Sequence, residues 1–210
     1  MSALQAKEPR RIGVFGGAFD PPHNAHIALA QAALAQFGLD RLCIVPTGQA
    51  WHKARALSAP GHRLAMTRLA FEDMPHVMVD DREIQRAGPT FTIDTLQALQ
   101  AENPQAQIYL FIGADQFAAF KQWHRWQDIL EIAIICIADR AQSVLTQTQF
   151  DVYAGGNHRF SKLELPLMPV SATQIRQLIA SGEATAAAIA KLVPEPVARY
   201  IALNQLYRSH

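Results

Sequence analysis

Two short segments carry the side chains whose types and spacing could do chemistry. The first, "GGAFDPPHNAH" at residues 16–26, places two histidines three residues apart behind a pair of glycines. The second, "SATQIR" at residues 171–176, supplies a serine, a threonine and an arginine. Glycine lets backbone N–H groups approach a phosphate closely, and imidazole, hydroxyl and guanidinium groups donate hydrogen bonds to its oxygens. Both segments are therefore typical of anion sites at the beginning of a helix.

Each segment alone also has a plainer interpretation. The glycine pair could form an ordinary strand-to-helix turn, and His23 and His26 could be packing residues or half of a metal site. A zinc site would need further ligands, and none follows at a suitable spacing. "SATQIR" could be a surface helix that Ser171 caps. Together, however, the two segments favour one phosphate-binding site with His23, His26 and Arg176 as donors.

The elements that must position these side chains follow from the hydrophobic pattern. Apolar runs predict strands at "RIGVF", "RLCIVP", "HVMVD", "QIYLFIG", "AIICIAD" and "KLELPLMPV", the last limited to a sheet edge or a bulge by Pro166. Segments with helical spacing lie between them, and the first ends at Gly38. This alternation predicts an α/β fold, a doubly wound Rossmann-like parallel sheet with helices on both faces. The polar segments that follow the strands should then converge at one edge.

The domain organisation is predicted to be simple. Residues 1–10 are expected to form a flexible N-terminal tail, and residues 11–210 a single domain. Its last part, 182–210, reads as a small C-terminal helical appendage because two further helical patterns follow one another there. Residues 140–161 are polar with weak periodicity, which is typical of a surface excursion.

Composition narrows the class of protein. The chain has 210 residues and a formal net charge of +1, without a basic stripe, so no nucleic-acid partner is expected. It contains no apolar run of the roughly 20 residues that span a bilayer. No apolar segment of a secretion signal follows the N-terminus, so no membrane partner and a cytoplasmic location are expected. Cys43 and Cys136 lie in apolar runs and should be buried thiols rather than a disulfide.

The motifs carry a family resemblance. "GGAFDPPHNAH" resembles the GGTFDPxHxGH loop of the nucleotidyltransferase superfamily, and "SATQIR" resembles its (S/T)xTxxR motif. Between and after them, "PTGQAWHK", "REIQRAGPTFTIDTL", "FIGADQFAAFKQWHRWQDIL" and "LVPEPVARYI" resemble the bacterial nicotinate-nucleotide adenylyltransferases. Ala18 departs from the usual threonine and Ala25 from the usual glycine. A methyl group at Ala25 is expected to narrow the nucleotide pocket.

The resemblance implies a reaction. ATP and nicotinate mononucleotide would give deamido-NAD and pyrophosphate, by in-line attack of the mononucleotide phosphate on the α-phosphate of ATP. That phosphate monoester is largely dianionic near pH 7, since its second pKa is about 6, so it needs no general base. The difficulty is to bring two anions together and to stabilise the charge on the α-phosphate and the departing pyrophosphate. Backbone N–H groups, two histidines and an arginine suit that task.

The resemblance also implies roles for individual residues. His26 and His23 would contact phosphate oxygens, and Arg176 would hold the pyrophosphate that leaves. Trp123 is favoured over Trp126 to stack on the pyridine ring. Mg²⁺ would arrive on the ATP phosphates, with no metal site of the protein's own. The ATP-binding set is Gly16, Gly17, Ala18, Phe19, His23, His26, Gly113, Asp115, Ser171, Thr173 and Arg176; the set for nicotinate mononucleotide is Gly17, Thr47, His52, Lys53, Thr92, Trp123 and His124.

Other functions remain open at this stage. A related enzyme, such as pantetheine-phosphate or nicotinamide mononucleotide adenylyltransferase, would use the same phosphate motifs. A dinucleotide-binding redox protein would need G-x-G-x-x-G and an acid about 20 residues further on, at the end of a strand. Here the glycine spacing differs and Asp40 precedes its strand. A nucleotide-binding regulator without catalysis is the third alternative. The partners expected are the two small-molecule substrates, with the protein acting as a monomer or homodimer.

Overall fold

A six-stranded sheet forms the centre of the molecule. The computed structural model describes residues 10–48, 57–139, 159–166, 168–182 and 185–208. The strands are β1 (Arg11–Gly17), β2 (Arg41–Pro46), β3 (Val77–Val79), β4 (Gln107–Gly113), β5 (Ala133–Asp139) and β6 (Phe160–Glu164). They lie in the order β3-β2-β1-β4-β5-β6, and every neighbouring pair is parallel. The order reverses between β1 and β4, so a crevice is expected beyond the carboxyl ends of these two strands.

Helices connect the strands and cover both faces of the sheet. Their bounds are α1 (Asn24–Phe37), α2 (Pro60–Phe71), α3 (Arg82–Gln85), α4 (Thr92–Glu102), α5 (Ala114–Ala118), α6 (Trp126–Ile132), α7 (Ala172–Ala180), α8 (Ala186–Ala190) and α9 (Glu195–Leu203), with a 3₁₀ turn at Phe120–Gln122. The predicted doubly wound, Rossmann-like sheet is confirmed. Among the described residues, no helix has both the length and the apolar character needed to cross a membrane.

Each inner strand is apolar on both sides because each side meets helices. Ile12 and Val14 of β1 pack in the cluster that contains α4 and α6, whereas Phe15 packs in the cluster that contains α1. Cys43 and Cys136 are fully buried within β2 and β5, and both are free thiols, as predicted. Burial raises the pKa of Cys43 to about 11 and that of Cys136 to about 12.

Local sequence signals predict most boundaries of the helices and strands. The structure differs from the prediction in the extent of β6 and in three short helical segments. Gly38 ends α1 in the left-handed conformation at φ 55°, as its position predicted. β6 is an edge strand and ends two residues before Pro166, because proline cannot donate to the ladder. The helices α3 and α5 and the 3₁₀ turn were not predicted, because segments this short show too little periodicity to be recognised.

The C-terminal helices α8 and α9 form a third apolar cluster with α2 and α7. Its buried members are Ala25, Met66, Val170, Ile175, Ile189, Val193, Val197 and Ile201. Two hydrogen bonds attach the beginning of α1 to this cluster: Asn24 donates from its backbone N–H to the Leu192 carbonyl at 3.0 Å and from Nδ2 to the Lys191 carbonyl at 3.0 Å. The C-terminal part therefore supports the same helix end that carries the two histidines.

Candidate functional site

The loop after β1 folds back over its own aromatic side chain. Phe19 has φ 46°, in a region that disfavours side chains, yet it is only 2% exposed. Its ring lies edge-on to Phe15 and Phe71, with centroid distances of 5.5 and 6.3 Å. A side chain at position 17 would place its Cβ 3.1 Å from this ring, which is closer than most Cβ contacts, so the ring would have to shift. The ring of Phe19, one of the residues predicted to bind ATP, packs beneath the loop.

His23 and His26 form a stacked pair at the beginning of α1. His23 is the N-cap residue and is 3% exposed, while His26 is half-buried in the first turn. Their rings are 3.6 Å apart between centroids with an interplanar angle of 18°. The Phe19 ring lies edge-on to His26, with the centroids 5.0 Å apart. The two imidazoles are thus brought together at the positive end of the α1 dipole, which favours an anion.

One hydrogen bond determines the tautomer of His26. The backbone N–H of His23 donates to Nδ1 of His26 at 3.1 Å. A backbone N–H can only donate, so Nδ1 is the acceptor in this bond. In this tautomer Nε2 carries the N–H, which can donate a hydrogen bond to a phosphate oxygen.

The second predicted phosphate segment meets the first. Ser171 caps α7 by accepting a hydrogen bond from the Gln174 N–H at 3.3 Å, as its position predicted. Arg176 donates from Nη2 to the Thr173 hydroxyl at 3.0 Å and from Nη1 to the Asp20 carbonyl at 2.8 Å. Asp20 lies in the loop after β1, so the arginine of "SATQIR" directly contacts "GGAFDPPHNAH". The convergence expected from a parallel sheet is observed.

The predicted residues after β4 lie at the next strand end. Gly113 ends β4 and caps α5, and Asp115 is exposed in the first turn of that helix. Gly113, and not Asp115, is therefore the N-cap residue of α5. Its carboxylate is left facing solvent at the sheet edge where the histidine loop also ends.

Aromatic side chains contact one another in the segment between the beginning of α4 and the beginning of α6. Thr92 begins α4, and His124 lies against Phe91 with the ring centroids 4.4 Å apart. Trp123 is half-buried and packs on Phe120 at 5.5 Å. Trp126 packs on the same ring at 6.1 Å and is buried to a similar degree. Burial alone therefore does not separate the two tryptophans as candidates for stacking on a ligand.

The loop after β2 is fastened to the loop after β1. Thr47 donates its backbone N–H to the Gly17 carbonyl at 2.8 Å. At Gly48 an added Cβ would lie 2.1 Å from the Glu83 carbonyl oxygen, so only glycine fits. His52 and Lys53, the other candidates of this loop, lie outside the described residues.

The two departures from the family motif differ in their surroundings. Ala18 is half-buried, and its carbonyl accepts a hydrogen bond from the buried Arg63 guanidinium. Ala25 is 8% exposed and packs into the C-terminal cluster beside Met66 and Ile175. The expectation that its methyl narrows the nucleotide pocket is therefore wrong, because that methyl faces the protein's own core.

Several important residues were not predicted. Arg63 is 1% exposed, and its three guanidinium nitrogens donate to backbone carbonyls. Asp20 is 2% exposed and accepts a hydrogen bond from the Tyr207 hydroxyl at 2.7 Å. Glu83 is buried and accepts from the Thr95 hydroxyl at 2.9 Å, and burial raises the pKa of Glu83. The available signal for Arg63 was a charged residue on the apolar face of α2, in register with Met66 and Phe71.

Comparison with known proteins gives a consistent result. Residues 14–178 match the family model described as cytidylyltransferase-like. The chain is 52% identical to a nicotinate-nucleotide adenylyltransferase of Albidiferax ferrireducens, over 95% of this chain and 99% of that protein. It is 40% identical to a protein of the same name from Bordetella petrii, over 95% of this chain and 100% of that protein.

Solved structures show the same fold. The nicotinic acid mononucleotide adenylyltransferase of Plasmodium falciparum, complexed with APC, superimposes with a TM-score of 0.73 at 17% identity, covering 94% of this chain and 97% of that one. Its complex with NaAD gives the same TM-score, 0.73, with the same coverage of both chains. At this identity the similarity establishes the fold.

Proposed function

The chain belongs to the nicotinate-nucleotide adenylyltransferase family, and we propose that its strand-end site carries out the reaction of that family. The enzyme is a nucleotidyltransferase that transfers the adenylyl group of ATP to nicotinate mononucleotide in NAD biosynthesis. Deamido-NAD and pyrophosphate are the products. The mononucleotide phosphate attacks the α-phosphate of ATP in line with the departing pyrophosphate.

One contact supports this proposal most directly. Arg176 donates to the Asp20 carbonyl at 2.8 Å, which brings the arginine of α7 to the loop that carries His23 and His26. A guanidinium and two imidazoles, three side chains that can donate to phosphate oxygens, therefore belong to one connected part of the molecule. A triphosphate presents several oxygens to such a set of donors, whereas a plain structural helix cap would need only one of them.

The proposed roles follow from what each group can donate. His26 carries an N–H at Nε2 and donates a hydrogen bond from it to an α-phosphate oxygen, where negative charge increases in the transition state. His23 orients the neighbouring phosphates. Arg176, Ser171 and Thr173 hold the β- and γ-phosphates as they leave. No residue needs to act as a base, because the attacking phosphate is already ionised.

We assign the second substrate to the neighbouring strand ends. Trp123 would stack on the pyridine ring, and the backbone amides of Thr92 and His124 would receive the nicotinate carboxylate. Thr47 would contribute from the loop after β2, with His52 and Lys53 contacting the phosphate of the mononucleotide. The adenosine end of ATP is assigned to Gly113 and Asp115. These assignments rest on position in the family motifs.

Mg²⁺ is proposed to enter with ATP. When bound, it would neutralise part of the charge on the triphosphate. The described part of the chain contains no group of three His, Cys, Asp or Glu side chains placed to hold a metal ion. An ion that arrives on ATP would be held mainly by phosphate oxygens and water. We also propose a cytoplasmic location, because both thiols are free and a reducing compartment keeps them so.

Pyrophosphate release tests the proposed function. The full chain is incubated with ATP and Mg²⁺ together with nicotinate mononucleotide, nicotinamide mononucleotide or phosphopantetheine, and a reaction without acceptor reports simple hydrolysis. We expect release with nicotinate mononucleotide, and a faster rate with it than with the amide. Absence of pyrophosphate with both pyridine nucleotides would overturn the proposal. A faster rate with the amide, or release with phosphopantetheine alone, would reassign the substrate.

A further inference from the structure

Arg63 is a charged side chain in a place where charge is costly. It lies on α2, is 1% exposed and is the largest of the fully buried side chains in the described chain. A guanidinium buried to this degree must have its N–H groups paired, since an unpaired buried charge is strongly unfavourable. Nothing in the family motifs gives this residue a role, so its partners have to explain it.

The three partners of Arg63 belong to three different segments. Nη1 donates to the Ala18 carbonyl at 3.0 Å, in the loop after β1. Nη2 donates to the Gly48 carbonyl at 3.2 Å, in the loop after β2. Nε donates to the Ser58 carbonyl at 3.0 Å, just before α2. Because the guanidinium is rigid and planar, its bonds fix the distances between these carbonyls.

The charge of Arg63 is balanced by a buried carboxylate. Burial lowers the pKa of the Arg63 guanidinium, and the nearby Asp20 carboxylate opposes that shift. Asp20 is itself held by the Tyr207 hydroxyl at 2.7 Å and the Ser58 N–H at 3.3 Å. Burial, and then the Asp20 charge, raise the pKa of Tyr207, so the phenol stays a neutral donor. The guanidinium is therefore kept charged and in one orientation.

We propose that Arg63 is a positioning residue for adenylyl transfer that fixes the separation between the two substrate subsites. This inference rests on the proposed function, in which the Ala18 loop receives ATP and the Gly48 loop receives the mononucleotide. One guanidinium joins both loops, so their spacing does not depend on either ligand. A misplacement of about 1 Å between reacting groups can lower a rate about 100-fold, even where each substrate still binds.

Two substitutions and a matched control test the proposal. Arg63→Met removes every donor while keeping an apolar stem. Arg63→Lys keeps a charge opposite Asp20 but cannot place a rigid fork across three carbonyls. Arg68→Met is the control, since Arg68 lies on the same helix, is exposed and pairs with Asp81 at 3.1 Å. For each protein, unfolding temperature, binary dissociation constants for ATP and for nicotinate mononucleotide, and kcat at saturation of both are measured.

The expected result separates kcat from binding and from stability. Arg63→Lys should keep both binary dissociation constants within about threefold of the wild type while kcat falls about 100-fold, measured well below the unfolding temperature. Arg63→Met should lose kcat to at least the same extent and also unfold at a lower temperature. Arg68→Met should retain both kcat and affinity. A wild-type enzyme that releases no pyrophosphate would instead contradict the proposed function.

Three outcomes would overturn the role of Arg63 with the wild-type enzyme active. In the first, Arg63→Lys keeps kcat within threefold of the wild type. In the second, the loss of activity in both variants equals the loss of folded protein at the assay temperature. In the third, binary affinities fall while kcat at saturation is preserved, which would make Arg63 a support for one binding loop alone.

Discussion

His26 is oriented by its own helix end. The N–H of His23 bonds to Nδ1 of His26, and the two rings stack 3.6 Å apart. Both contacts are local, because the residues are three positions apart. That is why the sequence could predict this pair: the spacing alone places the two imidazoles on one turn. The sequence could not give the tautomer, because it depends on which ring nitrogen meets the backbone N–H.

Replacing His26 tests the donor role. We expect His26→Ala to lower kcat by about 100- to 1,000-fold, the usual effect of removing one hydrogen bond to a developing negative charge. His26→Gln keeps an N–H donor and should lose less. His76→Ala serves as the control, since His76 is exposed and lies just before β3, at the opposite end of the strands. A His26→Ala enzyme with nearly wild-type kcat would remove this residue from catalysis.

The contacts of Arg63 could not be predicted from the sequence. Its partners are carbonyl oxygens of Ala18, Gly48 and Ser58, and every residue of a chain has a carbonyl. Residue type therefore does not indicate which carbonyls will accept hydrogen bonds from a guanidinium. Arg176 was predictable because its threonine partner lies within the same short motif. Contacts between side chains in one motif leave a pattern, and contacts to distant backbone do not.

At the scale of elements, the first turn of α1 makes two different kinds of contact. His23 and His26 stack on each other, whereas Ala25 packs against the C-terminal cluster. The strand and long-helix positions could be predicted from hydrophobic spacing, and so could the edge position of β6 from Pro166. The face to which Ala25 turns could not be predicted, because it depends on how α8 and α9 dock, and their contacts are far away in the sequence.

Substituting Ala25 distinguishes packing from ligand contact. Ala25→Gly removes a buried methyl, worth about 0.8 kcal/mol, and adds a helix-propensity cost of up to about 1 kcal/mol. Ala35→Gly, at an exposed position of α1, carries the propensity cost alone. We expect the first variant to be the less stable in urea unfolding, with KM for ATP within twofold of the wild type. A clear fall in KM for ATP would show that the methyl restricts the nucleotide after all.

At the scale of the whole molecule, the parallel sheet brings the predicted site segments to one edge. The polar segments lie far apart in the sequence, and the common strand direction delivers them to one edge. The alternation of strands and helices was sufficient to predict this. It was not sufficient to predict that residues near the C-terminus would contact the loop after β1, as Tyr207 does with Asp20. That contact needs the exact docking of α9, which no periodic pattern encodes.

The buried thiols predict how stability depends on pH. Cys43 and Cys136 have pKa values of about 11 and 12, against 9.0 when exposed, so the unfolded chain loses these protons first as the pH rises. The free energy of unfolding should therefore fall above pH 9, by about 1.4 kcal/mol per pH unit for each thiol, until the folded pKa is reached. Cys136→Ala should show a shallower slope between pH 9 and 11 in urea titrations. An unchanged slope would contradict the burial of this thiol.

The hydrogen bond between Tyr207 and Asp20 joins positions separated by 187 residues. A ribosome releases the chain from its N-terminus, so the loop after β1 emerges long before the tyrosine that holds its carboxylate. The loop after β1 thus acquires this support only after Tyr207 has been synthesised. Long-range closures of this kind form late in folding, because their loop entropy must be overcome first. The loop after β1 should therefore reach its final structure late in folding, when the segment that carries Tyr207 docks.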